Sequence, residues 1–348
     1  MSHVNKNFLF NKLKISLKKS DLKFSFFKNA KVLITGGTGF IGSWIVHSFA
    51  ALNLLHQLNI EIFIIIRNKK KQKIFSFINN LIKINYIYGD ITKIKNLNYN
   101  FSHVFHCAGV YKDSKKNIFT TNIIGTKNII KIISKNKIKN VIFLSSGAVY
   151  DKNNKKNIYK ENDALNTNKK DFYSISKIRA ENLFLKYCAS KKDINLSILR
   201  LFSFAGPGCL NLNYLAYAEF MKRKLQNKDI IIQSKGIVKR SYMHPIDLSI
   251  WILKSSALKK IKILNVGSDK AYKLDTLAKK ISSKKILKMK SVGIINLKNN
   301  KYIDSIYLPD VSKAKQLNFK ILFNLDDCIK DHLRIKIFSK NENKYFFI

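Results

Sequence analysis

A doubly wound parallel α/β sheet with a smaller C-terminal lobe is the fold that the sequence predicts, and three observations carry it. At residues 31–42 (KVLITGGTGFIG) an apolar β-type run enters a turn with glycines at 36, 39 and 42, and an apolar helical pattern (Ile41, Trp44, Ile45, Phe49) leaves it. Short apolar runs then alternate with helical patterns as far as residue 150, the signature of strand–helix–strand units. Small or polar groups follow these runs (Gly89-Asp90-Ile91, His106-Cys107-Ala108-Gly109, Ser145-Ser146), and ligands of open parallel sheets bind at such carboxyl ends.

In chain order, residues 1–29 alternate Phe, Leu and Ile with Lys and Asn and read as an amphipathic extension packed on the core. The glycine turn reads as a phosphate turn: two glycines let the backbone bend sharply and approach a pyrophosphate, the third lets the helix close on the strand, and the helix N-terminus attracts the anion. A helix over 43–58 follows, then a buried strand over 60–66 that ends at Arg67-Asn68. A basic residue there suits the 2′-phosphate of NADP, whereas an acidic one would suit NAD. Further strands are predicted over 85–88, 103–105 and 141–144, with a helix through 121–130. Residues 151–170, polar and lysine-rich, read as a surface loop. The expected division is a dinucleotide-binding domain over 30–202, to which 238–267 returns, and a substrate-binding lobe from 203–237 and 268–348.

Composition narrows the function. The 348 residues carry 65 Lys and Arg against 21 Asp and Glu, a formal charge of +44 that raises the question of an anionic polymer partner. The lysines are spread along the whole chain among Ile and Asn, with only three prolines, which reads as compositional drift, so no nucleic-acid partner is expected. Cys107, Cys188, Cys209 and Cys328 stand far apart, without CxxC or metal-ligand spacing, and imply a reducing compartment with no disulfide framework and no metal site. No signal-peptide core is visible and no apolar run reaches membrane length, so a cytoplasmic protein without a membrane span is expected.

Tyr173-Ser174-Ile175-Ser176-Lys177 opens a helical pattern and places Tyr173 and Lys177 on one face, four residues apart. A free phenol, with a pKa near 10, is a poor base at neutral pH; a neighbouring ammonium would favour the phenolate and make a proton shuttle for alcohol oxidation feasible.

From residue 30 to about 320 the chain resembles the extended short-chain dehydrogenase/reductase family, the nucleotide-sugar epimerases and dehydratases. The resemblance rests on TGGTGFIG at 35–42, GDI at 89–91, HCAG at 106–109, NIIGTKN at 122–128, SSGAVY at 145–150, YSISK at 173–177, RLFSFAGP at 200–207, RSYMHPID at 240–247, NVGS at 265–268 and DVSKA at 310–314. It implies a Rossmann-type domain and a catalytic set of Ser146, Tyr173 and Lys177. NAD or NADP would be held by Gly36, Gly39, Phe40, Ile41, Gly42, Arg67, Asp90, Ile91, Ala108 and Lys177, with Arg67 tilting the choice towards NADP. Substrate would meet Ser146, Tyr173, Ser203 and Arg240, the last pairing with the diphosphate of a nucleotide sugar. The family often forms homodimers through helices near 115–135 and 173–190.

Departures from the pattern sharpen the expectation. Gly147 and Ala148 stand where the family's 4,6-dehydratases and decarboxylases usually carry a Glu, which disfavours those reactions and favours an epimerase, or an NADPH-dependent keto-sugar reductase. Ser203 replaces a frequent Asn, and the late Arg of an RxxD pair is not evident before Asp310. An RNA-binding protein on a degenerate dehydrogenase fold is the competing reading of another class.

Overall fold

The computed structural model describes residues 2–20, 24–111, 113–152, 156–209, 212, 215–283, 291–302 and 305–338. Thirteen strands are seen among them: β1 (Lys31–Thr35), β2 (Glu61–Ile66), β3 (Lys83–Tyr88), β4 (His103–His106), β5 (Asn140–Ser146), β6 (Ile158–Tyr159), β7 (Asn195–Leu201), β8 (Ile230–Lys235), β9 (Val238–Ser241), β10 (Ile261–Val266), β11 (Ala271–Lys273), β12 (Ile294–Tyr302) and β13 (Ser305–Pro309). The α-helices are α1 (Ser2–Lys18), α2 (Phe40–His56), α3 (Lys115–Phe119), α4 (Gly125–Ser134), α5 (Phe172–Ala189), α6 (Ala216–Leu225), α7 (Pro245–Ser255), α8 (Leu274–Ser282), α9 (Ser312–Gln316) and α10 (Leu325–Phe338).

Seven strands form one parallel sheet in the order β10-β7-β5-β4-β1-β2-β3. Chain order reverses between β1 and β4, which opens the crevice where such sheets bind ligands. Alternation along each strand explains the two covered faces. Val32, Ile34, Ile62 and Ile64 join Trp44, Ile45, Phe49 and Trp251 on one face, while Leu33, Phe63, Ile65, Val104 and Phe143 pack with Ile129, Ile132, Ile133 and Phe184 on the other. The first face also takes α1, whose Leu9, Leu13 and Leu17 recur at helical spacing and are buried.

Two smaller sheets lie apart from the main one, β11-β9-β13-β6 and β12-β8. The first corrects the reading of residues 151–170 as a surface loop: within them β6 pairs with β13, Tyr159 is buried, and its ring stacks on Tyr150 at 5.3 Å. Lysines at the flanking positions dominate that segment's composition and hide an inward aromatic.

Candidate active site

The crevice begins at the glycine turn. Gly36 adopts φ +66°, the left-handed region that glycine enters without strain, and a Cβ there would stand 2.8 Å from the backbone nitrogen of Ala108. A Cβ at Gly42 would collide with the Gly36 carbonyl, so α2 closes on β1 only because that side chain is missing. Gly39 is the N-cap of α2 and offers no side-chain cap. The first turn of a 17-residue helix therefore points its N–H groups at the crevice with the positive end of its dipole. Phe40 is buried against Phe204, ring centroids 5.9 Å apart, and Ile41 is half-buried beside it. Turn and helix end together form a cradle that fits a pyrophosphate.

Thr35, the first residue of the TGGTGFIG stretch, ties the two sides of the crevice together. Its hydroxyl accepts from the Ala108 N–H at 3.1 Å and meets His106 Nδ1 at 2.7 Å, while His106 Nε2 meets Thr126 Oγ1 at 3.1 Å. Burial, with the Lys177 charge adding to it, pushes the His106 imidazole down to about 3, so it serves as a neutral strut.

Past the carboxyl ends of β2 and β3, Asp90 accepts from the Thr92 N–H and hydroxyl, both at 2.8 Å, and stands 3.7 Å from Arg67 Nη1. Burial opposes the Asp90 charge, but those hydrogen bonds and Arg67 together hold its carboxyl below the usual range. Arg67 thus has a carboxylate beside it while its side chain remains 74% exposed. Ile91 is buried in the second core cluster against Gly125, and its carbonyl accepts from Asn128. Its side chain thus belongs to the core, and its carbonyl braces α4.

The catalytic candidates converge at the carboxyl end of β5. Ser146 ends that strand and caps a short 3-10 turn, Gly147–Val149, by accepting from the Ala148 N–H at 3.1 Å. Ser146 also acts on the phenol of Tyr173, from the first turn of α5, favouring its ionised form. Asp171 fixes that turn by accepting from the Ser174 N–H, and Ser174 reaches across to the Ala148 carbonyl at 2.6 Å. Tyr173 and Ser146 are therefore held by one hydrogen-bonded junction. Lys177, one turn further, is buried and donates from Nζ to the Leu144 carbonyl at 2.8 Å. A Cβ at Gly109 would come within 3.0 Å of that Nζ, so the glycine keeps space above the lysine.

Electrostatics here differs from the expectation. Burial lowers Lys177 to about 8, while burial raises Tyr173 to about 12 against a partly compensating hydrogen bond from Ser146. Lys177 is turned to a carbonyl and does not figure among the charges acting on the phenol. The anticipated lowering of the tyrosine by the lysine is thus reversed, because desolvation outweighs a charge directed elsewhere.

Several side chains frame the site beyond the expected catalytic set. The Tyr111 ring meets Tyr173 edge to face at 4.8 Å. Asn122 lies in a π-helical turn, Thr120–Ile124, and braces the Val110 backbone through both its amide atoms while donating to Ser176 at 2.8 Å. Tyr307 stacks on Phe202 at 4.6 Å and places its hydroxyl in the volume that a Cβ at Gly147 would need. For Asn122 the available signal is a polar residue in the middle of an apolar helical stripe; nothing local marks Tyr307.

Arg240 and Ser203 stand on the smaller-lobe side. Arg240 donates to the Ser305 carbonyl at 2.6 Å, to Ser305 Oγ at 2.9 Å and to the Lys239 carbonyl, with the Tyr307 ring 5.8 Å away. Its guanidinium is partly buried and turned to the Ser305 and Lys239 groups. The Ser203 carbonyl accepts from the Met243 N–H, which binds the two substrate-side segments to each other.

The sequence model of the NAD dependent epimerase/dehydratase family matches residues 32–267. A UDP-glucose 4-epimerase of Rickettsia rickettsii is 29% identical over 133 residues, 36% of this chain and 39% of that protein, so the matched part spans well under half of that relative's length. A UDP-N-acetyl-alpha-D-glucosaminuronate decarboxylase of Bacillus cytotoxicus is 28% identical over 309 residues, 82% of this chain and 91% of that protein. In fold, the chain superposes on the UDP-glucuronic acid 4-epimerase of Bacillus cereus, solved with NAD, with a TM-score of 0.71 and 20% identity, covering 89% of this chain and 100% of that one.

Proposed function

The chain belongs to the NAD dependent epimerase/dehydratase family, and from that premise we propose that it is a nucleotide-sugar epimerase in which Tyr173 acts as the acid/base. The observation that carries the reading is the junction of Ser146, Tyr173 and the Gly147-Ala148 turn beside the glycine cradle. The turn holds no carboxylate, and the space next to Gly147 is filled by the Tyr307 hydroxyl and the Phe202 ring. A carbon-bound proton has no base waiting there, whereas a hydroxyl proton has Tyr173. That favours oxidation and re-reduction at one sugar carbon over elimination or decarboxylation.

The cradle of Gly36, Gly39 and Gly42 would hold the pyrophosphate of the cofactor, Asp90 its adenine end and Lys177 its nicotinamide ribose. When bound, the nicotinamide supplies the hydride acceptor and donor. Ser146 orients the reacting sugar oxygen for Tyr173, which takes its proton and later returns it. Arg240 meets the diphosphate, and Ser203 lines the same side. Arg67, exposed at the end of β2, favours NADP over NAD and keeps an NADPH-dependent keto-sugar reductase as the second reading. The proposal extends to a homodimer through the outer faces of α3, α4 and α5, with Ile124, in the turn between α3 and α4, 40% exposed, and to a cytoplasmic location.

The test is incubation with a panel of nucleotide sugars and 4-keto intermediates, with products followed by NMR. Turnover without net consumption of nicotinamide supports the epimerase, and stoichiometric oxidation of NADPH supports the reductase. Tyr173→Phe is expected to lower kcat by about 10² to 10⁴ with folding intact; an unchanged kcat in that variant would overturn the mechanism.

A further inference from the structure

Behind the substrate-side wall lies a buried group of charges that the mechanism does not use. Lys12 of α1 donates from Nζ to Asp331 of α10, and the same ammonium lies 4.3 Å from the centroid of the Phe323 ring. Asp331 is 1% exposed, and its Oδ2 stands 3.3 Å from Nε2 of the fully buried His244. That contact is at ion-pair distance but off the line of a good hydrogen bond. His244 Nδ1 accepts the Ile246 N–H at 3.1 Å and so caps α7, which places the ring proton on Nε2, towards Asp331.

His244 closes the segment that begins with Arg240. Between them, the Met243 N–H donates to the Ser203 carbonyl and the Ala205 N–H to the Met243 carbonyl, both at 3.1 Å, so residues 203–205 are tied to the segment that runs from Arg240 to His244. Asp247, three residues on, accepts the N–H groups of Leu322 and Phe323 at 3.0 Å and fixes the loop whose aromatic ring covers both Lys12 and His244. A chain of contacts therefore runs from the N-terminal helix to the strip that carries Ser203 and Arg240. Lys12 lies outside residues 32–267, the span matched by the family model.

We propose that Lys12 is a positioning residue for the substrate site: as the counter-charge of Asp331 it leaves His244 neutral and seated as the α7 cap, and thereby sets the position of Arg240. The inference rests on the nucleotide-sugar reading above. The electrostatics agree with it. Burial opposes the Asp331 charge, and His244 and Lys12 together more than offset this and keep its carboxyl below the usual range. Burial holds His244 below its ordinary value, helped by Lys12 and opposed by Asp331 and Asp327. The groups acting on this histidine are thus Lys12 on α1 and Asp327 and Asp331 on α10; Asp247, on its own helix, turns to the Leu322 and Phe323 N–H groups, and His332 of α10 to the Tyr217 hydroxyl.

The experiment uses the full chain and the sugar found by the panel, with KM, kcat and melting temperature measured for the wild type and for Lys12→Met, Lys12→Arg, Asp331→Asn and the Lys12→Met/Asp331→Asn double variant from pH 6 to 8. In Lys12→Met, KM is expected to rise about five- to tenfold with kcat nearly unchanged, and Lys12→Arg to restore it. In the Asp331→Asn background the Lys12→Met change should have no further effect on KM, since the charge it serves is gone. The KM defect of Lys12→Met should be largest at pH 6 and shrink towards pH 8. Without the ammonium, Asp331 draws a proton onto His244 at the lower pH, and an imidazolium carries a proton on Nδ1 and can no longer accept the Ile246 N–H; at the higher pH the ring is neutral and the cap is kept. A Lys12→Met variant with lowered melting temperature but wild-type KM at every pH would overturn the assignment while leaving the epimerase reading in place, as would simple additivity of the two substitutions. If Lys12→Met does not fold, Lys12→Arg and the double variant decide the question: each must keep a KM no worse than that of Asp331→Asn, and a higher KM in either overturns the assignment. Failure of the wild type to turn over any nucleotide sugar removes the functional reading, and the role of Lys12 with it.

Discussion

The two ends of the proposed site are built in opposite ways. The cofactor end is local: residues 35–42 supply strand end, turn and helix start, and its side chains matter chiefly by being absent. The substrate end is assembled from distant segments around buried polar groups. Arg200 of β7 lies in a bidentate pair with Glu181 of α5, donates to the Glu161 carbonyl beside β6, and sits 5.0 Å over the Tyr150 ring. Asn265 at the end of β10 accepts from the Tyr150 hydroxyl and donates to the carbonyls of Tyr159 and Asp310. The lesson is that one fold can carry a site whose halves differ in how a mutation spreads. Damage to the first half stays near the turn, and damage to the second loosens the attachment of a whole small sheet.

Three experiments would break or sharpen this contrast. The largest effect is expected from Glu181→Ala, which leaves the guanidinium of Arg200, only 4% exposed, without its carboxylate. Removing one partner of a buried pair costs about 3–5 kcal/mol, to be read from urea unfolding. Dinucleotide binding by the fraction that remains folded should persist. If it is lost as completely as sugar binding, the two ends are not separable.

Gly42→Ala should cost less, about 1–3 kcal/mol, because α2 must shift away from the Gly36 carbonyl to admit a methyl group. Its signature is the reverse: dinucleotide binding, followed by fluorescence titration, should fall far more than the melting temperature. The smallest effect, read per pH unit as a slope of stability, concerns Lys177, lowered by burial from 10.5 to about 8. A depressed base binds fewer protons when folded, so between pH 8 and 10.5 the unfolded chain holds the extra proton and the ligand-free protein gains stability as pH rises, by at most about 1.4 kcal/mol per pH unit. The gain should vanish in Lys177→Met. A wild-type slope equal to that of the variant would show that the lysine is not desolvated as described.

The cofactor end is legible in the chain for the same reason that it is local. Glycine spacing, the uncapped helix start and the apolar runs of β1 and β2 all act over a few residues, so pattern and structure coincide. The order of the motifs likewise points to Ser146, Tyr173 and Lys177, and the structure brings all three to the end of β5. Tyr159 is not legible, because lysine-rich flanks mask a two-residue strand whose burial depends on Tyr150 and β13. Tyr307 is equally hidden, because its place beside Gly147 joins segments far apart along the chain. The direction of the Tyr173 shift runs against the spacing, which says that Lys177 is near, whereas only packing says that its ammonium points to the Leu144 carbonyl.

By itself, then, the sequence determined the parallel sheet and the glycine turn, since these follow from short-range rules of backbone conformation and periodicity, and its ordered motifs named the candidates for the reacting groups. Only the tertiary structure decided which charges meet. Lys12 with Asp331, Arg200 with Glu181 and Arg67 with Asp90 are pairs that no local pattern joins. The physical reason is that desolvation and Coulomb energy depend on distance in space, and the chain encodes that distance only through the packing of elements far apart along it.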